Sequence, residues 1–413
     1  MLRKSMQPQP ASIISMNTMA PLSGCKKMSL TTSAAPPLRL MSILISSANT
    51  RKYIRPSTES PTIGFEILTE GWRRFCIENG PLFLQGYGNW GRALPDDQQS
   101  FDSITGVTSR HTNEFNKKYY KKLNDEFQLG TINAETLTRT YDEYIATLNT
   151  GAVLGMFDQG WNFMYGATDP LRSENRFERT YLPLDITYDG ITPMYLDARA
   201  FTGNNGVIVN KKIKNPERIV QYWDYLIQED VQRFLHWGIE GEHWFYNSEG
   251  RIERPDEERI AQQEVKYQHD FLGQFLWDQM PKMQGTFSDG NAIPREEQPE
   301  EYLAGLNEYD KALFARLGIK TQTGLMRGDP VKWPPYYPYW SMALEDGSPA
   351  QLADARITET NDRYLSQLVI CTPDQFDSIW NDYVSEMAMN GEEDLWDFTI
   401  EQSQMRFDAY NNN

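Results

Sequence analysis

The stretch Gly151-Ala152-Val153-Leu154-Gly155-Met156-Phe157-Asp158-Gln159-Gly160-Trp161 decides the fold. Its first part is a short apolar run bounded by glycines, which reads as a buried strand. A polar end, a glycine and then a tryptophan follow at once. Working outward, Thr112 to Gly130 carries Phe115, Tyr119, Leu123 and Phe127 four residues apart, with Lys117, Lys118, Lys121 and Lys122 largely off that ridge. This predicts an amphipathic helix stopped by Gly130. A second helix is expected after Asn133, with Tyr141, Tyr144, Ile145 and Leu148 on one face. Tyr181-Leu182-Pro183-Leu184 and Gly206-Val207-Ile208-Val209 are further strand candidates. Asn215-Pro216-Glu217 marks a helix start, with an N-cap residue, proline at the first position and an acid in the first turn. The ridge beyond it is Ile219, Tyr222, Trp223, Leu226 and Ile227. Strands and helices alternate, so the class is α/β, giving way after residue 260 to helical patterns broken by prolines.

Bulk properties narrow the function. At 413 residues the chain can build two domains, and no run of about 18–20 apolar residues offers a membrane span. A formal charge of −17 argues against a nucleic-acid groove, which needs cations to neutralise phosphates. Three cysteines without CxxC spacing and four histidines without HExxH give no metal site and no disulfide framework. No cofactor motif occurs: Gly-x-Ser-x-Gly, a P-loop and a strand-borne Gly-x-Gly-x-x-Gly are all missing. With 11 Trp and 22 Tyr the chain carries many flat amphipathic rings, which fill cores but also stack on sugars.

Residues 1–60 stand apart, with eight Lys or Arg, one acid and only Tyr53 among the aromatics. They form an atypical leader, expected to be disordered. Met1-Leu2-Arg3-Lys4 has the look of a basic signal start, and Leu22-Ser23-Gly24-Cys25 has the form of a lipobox with Cys25 as lipid-bearing residue. The prolines and polar residues between them interrupt any apolar core, however, which favours an aberrant leader over a working signal. The remaining divisions expected are 61–260, an α/β core, and 261–413, a helix-rich region.

The order of these segments, from the Thr112 helix through Gly130-Thr131-Ile132-Asn133 to Met156-Phe157-Asp158-Gln159-Gly160-Trp161 and Asn215 to Leu226, resembles the second half of family 1 extracellular solute-binding proteins of ABC sugar importers. Trp237 to Trp244, Phe287 to Ala292, Leu306 to Asp310, Pro334 to Trp340 and Phe376 to Val384 are similar to a Paenibacillus-type lipoprotein group and to alginate-oligosaccharide binders. The resemblance implies a bilobed, periplasmic-binding type II-like fold with an incomplete first lobe and a helical C-terminal region. It implies capture of an oligosaccharide, delivery to the permease subunits of an ABC transporter, an extracellular location, and membrane contact only through the permease or a lipid on Cys25. It implies no catalysis. A secreted carbohydrate-active enzyme and a truncated, non-functional fragment are the alternatives.

Site residues follow from both readings. Trp161 follows a strand and a glycine, where binding groups gather at the open end of an α/β sheet. In maltose-binding relatives the tryptophan of the matching Gly-x-Trp stacks on the sugar. Asp158 and Gln159 are its expected polar companions, against the plainer reading of a core tryptophan. Trp90, in Tyr87-Gly88-Asn89-Trp90, and Tyr337 and Trp340, on a proline-fixed loop, are further candidates for the ligand cleft. Glu240 and His243 are weaker ones, since the adjacent acids Glu240 and Glu242 read more simply as a turn than as a glycosidase pair.

Overall fold

The computed structural model describes residues 13–17, 63–87, 93–95, 107–184, 186–193, 209–262, 264–267, 270, 283, 285–326 and 342–412. Its organising feature is the apolar run singled out above. Strand β4 (Gly155–Asp158) is buried along its whole length, as a strand covered on both faces must be. On one side the extended segment from Ile63 to Glu66 runs parallel to it. Ile63 N donates to Ala152 O (3.0 Å), Leu154 N to Ile63 O (2.9 Å) and Glu66 N to Gly155 O (2.9 Å). On the other side β1 (Ile13–Asn17) pairs antiparallel with both β4 and β5 (Tyr181–Leu184), giving the order β4-β1-β5. Those five residues depart from the expectation of an unstructured leader: two neighbouring edges of backbone donors and acceptors would otherwise be left open.

Between Glu66 and β4 the chain makes short helices α1 (Phe75–Glu78) and α2 (Gly80–Leu84), the small β2 (Ala93–Pro95) and β3 (Val107–Ser109) hairpin, and two longer helices. The first, α3 (Glu114–Gln128), starts where Asn113 accepts hydrogen bonds from Phe115 N and Asn116 N. The next, α4 (Tyr141–Asn149), opens with a reciprocal capping box between Thr140 and Glu143. After β4 comes the short α5 (Gly160–Phe163).

A separate unit spans Arg199–Gly324, while Gln9–Ala198 and Leu325–Asn413 form the other. In the Arg199–Gly324 unit, α6 (Pro216–Leu226) and α7 (Glu229–Trp237) precede a hairpin of β6 (Phe245–Tyr246) and β7 (Ile252–Glu253), followed by α8 (Asp256–Ala261), α9 (Pro299–Ala304) and α10 (Glu308–Leu317). Its main core is a small cluster: Trp237, Trp244, Ile252, Phe287 and Ile293. Glu301 of α9 accepts from Arg254 (2.8 Å to Nε) and Arg259 (2.7 Å to Nη2), so residues on both sides of position 260 share one ion-pair network.

The last three helices, α11 (Pro349–Ile370), α12 (Phe376–Met389) and α13 (Glu392–Asn411), return to the first unit. They place Leu365, Leu368, Trp380, Tyr383 and Leu395 in one core with Tyr119, Tyr120 and Leu123 of α3. Asn124 of α3 seals the end of α11 by donating to Val369 O (3.0 Å) and Cys371 O (2.7 Å). The broad class holds, with helices rather than sheet as the bulk of the described residues. Of the Gly206–Val209 strand candidate, residues 206–208 lie outside them, and Val209 is not in a strand.

Candidate functional site

The site grows from the end of β4. Asp158 is sealed in the interior, where its carboxylate accepts from Gln159 N (2.6 Å), from Asn162 Nδ2 (3.0 and 3.1 Å), from Tyr144 Oη (2.8 Å) and from Cys76 Sγ (3.3 Å). Its bonds to Gln159 and Asn162 anchor the start of the helix that follows. The chain turns from strand to helix at Gln159, so that Trp161 sits in the first turn. That helix does not run regularly. Met164–Thr168 forms a π-type turn before helical winding resumes at Asp169–Ser173, and such wide turns often accompany functional sites. Gly166 lies against Ile145, where a Cβ would come within 2.6 Å of Cγ2, so the wide turn packs closely on α4. Tyr165, in this turn, is 79% exposed.

Trp161 is 38% exposed and lies nearly parallel to Trp72, which is 62% exposed. Their ring centroids are 5.8 Å apart with planes inclined by 10°. Phe75 backs both rings, at 5.5 Å from Trp161 and 6.0 Å from Trp72. The Trp161 indole N–H donates to Gln159 Oε1, tying the ring to the loop that carries it. Aromatic pairs gain about 0.5–1.5 kcal/mol beyond their area burial, so the two indoles hold one another. A core tryptophan would be covered. These two instead keep part of their apolar surface in solvent, the kind of surface that pyranose C–H groups can stack upon.

Sequence reasoning missed Trp72. It stands on a single turn, Gly71–Arg74, too short to show periodicity. The one available signal was its setting between Gly71 and the two cations Arg73 and Arg74, a neighbourhood that keeps an indole near the surface.

Asp158 departs from its expected role. It has no surface to offer a ligand, because its carboxylate is spent on backbone and side-chain donors that shape the loop. Burial pushes its pKa up to about 6, against the opposing pull of those hydrogen bonds. Burial also pushes the neighbouring Tyr144 and Cys76 up, so they stay protonated. A raised carboxylate pKa means that the native state favours the neutral acid. The associated stability is present below about pH 4 and is lost as pH rises through about 6. Urea melts at half-unit steps from pH 4 to 7 should therefore show the unit containing β4 weakening across that window. The Asp158→Asn protein should lack this decline. Parallel pH profiles for the two proteins would refute the assignment.

Glu240 and His243 belong to the Arg199–Gly324 unit and Trp161 to the other. His243 Nδ1 accepts from Ile239 N (2.9 Å), closing a turn around Gly238, whose φ of +85° suits glycine. Glu240 is exposed on the same turn. Trp90, Tyr337, Trp340 and Cys25 lie outside the described residues. Among the described residues no group of three or more His, Cys, Asp or Glu is placed to hold a metal, and no helix is long and apolar enough to cross a membrane.

No protein-family model matches the chain, and no curated protein matches it. Solved structures do. An HMO-binding, ABC-transporter-associated solute-binding protein from Bifidobacterium longum infantis aligns with 99% of this chain and 76% of its own, at 16% identity and a TM-score of 0.56. An extracellular solute-binding protein from Bifidobacterium longum subsp. infantis aligns over 97% and 74%, at 14% identity and 0.54. An alginate-binding protein crystallised without calcium aligns over 98% and 74%, at 12% identity and 0.52. With an exposed indole pair at the end of its buried strand, the chain has the fold of the solute-binding proteins that serve ABC transporters.

Proposed function

We propose that this protein captures a saccharide outside the cell and passes it, chemically intact, to the permease of an ABC importer. The observation that carries the reading is the parallel, solvent-facing pair Trp161 and Trp72 at the end of β4. Loops at the carboxyl ends of buried strands are where α/β scaffolds bind ligands. The two parallel, stacked indoles keep apolar ring surface in solvent, and Tyr165 adds a third exposed ring nearby in sequence. Similarity to structures described as HMO-binding and alginate-binding supports a carbohydrate ligand. Gln159 orients the pair through its bond to Trp161. The sealed carboxylate of Asp158 favours binding over hydrolysis, since a glycosidase needs acids that reach the bond. Tyr337, Trp340, Trp90, Glu240 and His243 are proposed as further ligand contacts, and Cys25 as a lipid attachment point.

The test is titration of the full chain with a panel of neutral and acidic oligosaccharides, followed by calorimetry and tryptophan emission. At least one should bind saturably, shift the emission and be recovered uncleaved. Absence of any heat or emission change up to millimolar sugar, or release of reducing ends, would refute the proposal.

A further inference from the structure

Trp72 poses a mechanical problem. It projects from a single turn that begins at Gly71, with φ +54° and open space around it, and the residue is largely exposed. A side chain so placed samples several rotamers unless something stiffens it, and a stacking surface that wanders loses affinity to ordering cost. Trp161 covers one part of the ring. The other constraint comes through Arg73. Its guanidinium carbon lies 4.5 Å from the centre of the Trp72 ring and 3.8 Å from that of Tyr141, so the cation is packed against both.

What sets the plane of that guanidinium is Asn162. Arg73 Nε donates to Asn162 Oδ1 (3.1 Å), while Asn162 Nδ2 donates to both oxygens of the Asp158 carboxylate (3.0 and 3.1 Å). The amide therefore has only one sensible orientation. Its NH2 must face the carboxylate, which leaves its oxygen turned to the arginine. Tyr141 Oη donates to the Asn162 carbonyl (2.6 Å), and Tyr141 N donates to Glu70 (2.7 Å), so the ring beneath Arg73 is fixed to the same two segments. Asn162 itself is almost fully buried, one position after Trp161.

We propose that Asn162 and Arg73 are positioning residues that convert the buried Asp158 carboxylate into a fixed orientation of the Trp72 ring, parallel to Trp161. The inference rests on the reading that these indoles receive a sugar, but its mechanical part can be tested without one. Neither residue needs to touch the ligand. The cation acts through its planar, hydrogen-bonded fork rather than through its charge alone, a distinction that separates arginine from lysine.

Two stacked indoles couple their strong ultraviolet transitions and give a paired positive and negative circular-dichroism band, which disappears when either ring is removed or turned. Trp72→Phe and Trp161→Phe identify that band. Arg73→Met then leaves the Asp158–Asn162 bonds intact and removes only the fork. It should reduce the band by half or more and weaken binding of the best oligosaccharide about tenfold, with a thermal midpoint close to that of the parent. Asn162→Ala should do the same to the band. If that buried variant unfolds, Arg73→Met decides alone. Arg73→Lys should fail to rescue either reading. The proposal is overturned if Arg73→Met keeps the band and binds within twofold of the parent, or if Arg73→Lys restores both. Should no saccharide bind the parent protein, the functional reading fails, while the band still reports on the ring geometry.

Discussion

Replacing Trp237 by alanine should unfold the Arg199–Gly324 unit at temperatures where the rest of the chain keeps its secondary structure. Trp237 has no exposed surface and lies in a buried cluster with Trp244, Ile252, Phe287 and Ile293. Removing a buried indole costs about 3–5 kcal/mol through lost transfer energy and the cavity left behind. Its N–H also donates to Ala292 O and Ile293 O (3.1 Å each), and those buried acceptors would lose a donor, which adds about 1–3 kcal/mol. Set against the roughly 5–15 kcal/mol by which whole domains are stable, this leaves little. Calorimetry should resolve an early transition absent from the parent, and limited proteolysis should cut first between Arg199 and Gly324. Trp237→Phe, which restores volume but not the two hydrogen bonds, should fall between. A single transition within two degrees of the parent would show that the cluster does not carry the unit.

Trp161→Ala should have the opposite signature, a large loss of ligand with little loss of fold. The ring is partly exposed, and its main contacts are with Trp72 and Phe75 rather than with the core. Truncating an aromatic at the centre of a binding surface typically costs about 2 kcal/mol or more, roughly a thirtyfold rise in Kd. The thermal midpoint should move by no more than a few degrees. Trp161→Phe, with a smaller ring and no bond to Gln159, should lose part of the affinity. Binding of the best oligosaccharide unchanged by Trp161→Ala would remove the indole pair from the mechanism.

Much of this was legible in the sequence where a pattern had length. The four-residue spacing through Phe115, Tyr119, Leu123 and Phe127 located α3, although Phe115 proves exposed and Tyr120, Asn116 and Asn124 are buried as well. The buried face is wider than the ridge because other helices, α11 among them, also pack on α3, which periodicity on one helix cannot show. Tyr181–Leu184 and the Pro216 helix start were read directly, yet Asn215 makes no side-chain cap and Pro216 alone sets the first turn. The leader strand was invisible: five residues of Ile13–Asn17 gain their meaning only from β4 and β5, more than a hundred residues away. At the proposed site, Trp161 drew attention because a strand and a glycine precede it. Asp158 was misjudged because sequence shows that an acid is present but not that four donors converge on it.

The path of the chain has a consequence for biosynthesis. Gln9–Ala198 cannot complete its interior until Leu325–Asn413 has left the ribosome, because Leu365, Trp380 and Tyr383 supply the far wall around Tyr119 and Tyr120. Arg199–Gly324 is continuous and can close as soon as it emerges. Translation thus passes through a long interval in which half-finished apolar surface waits for its last helices, the kind of species on which chaperones and proteases act.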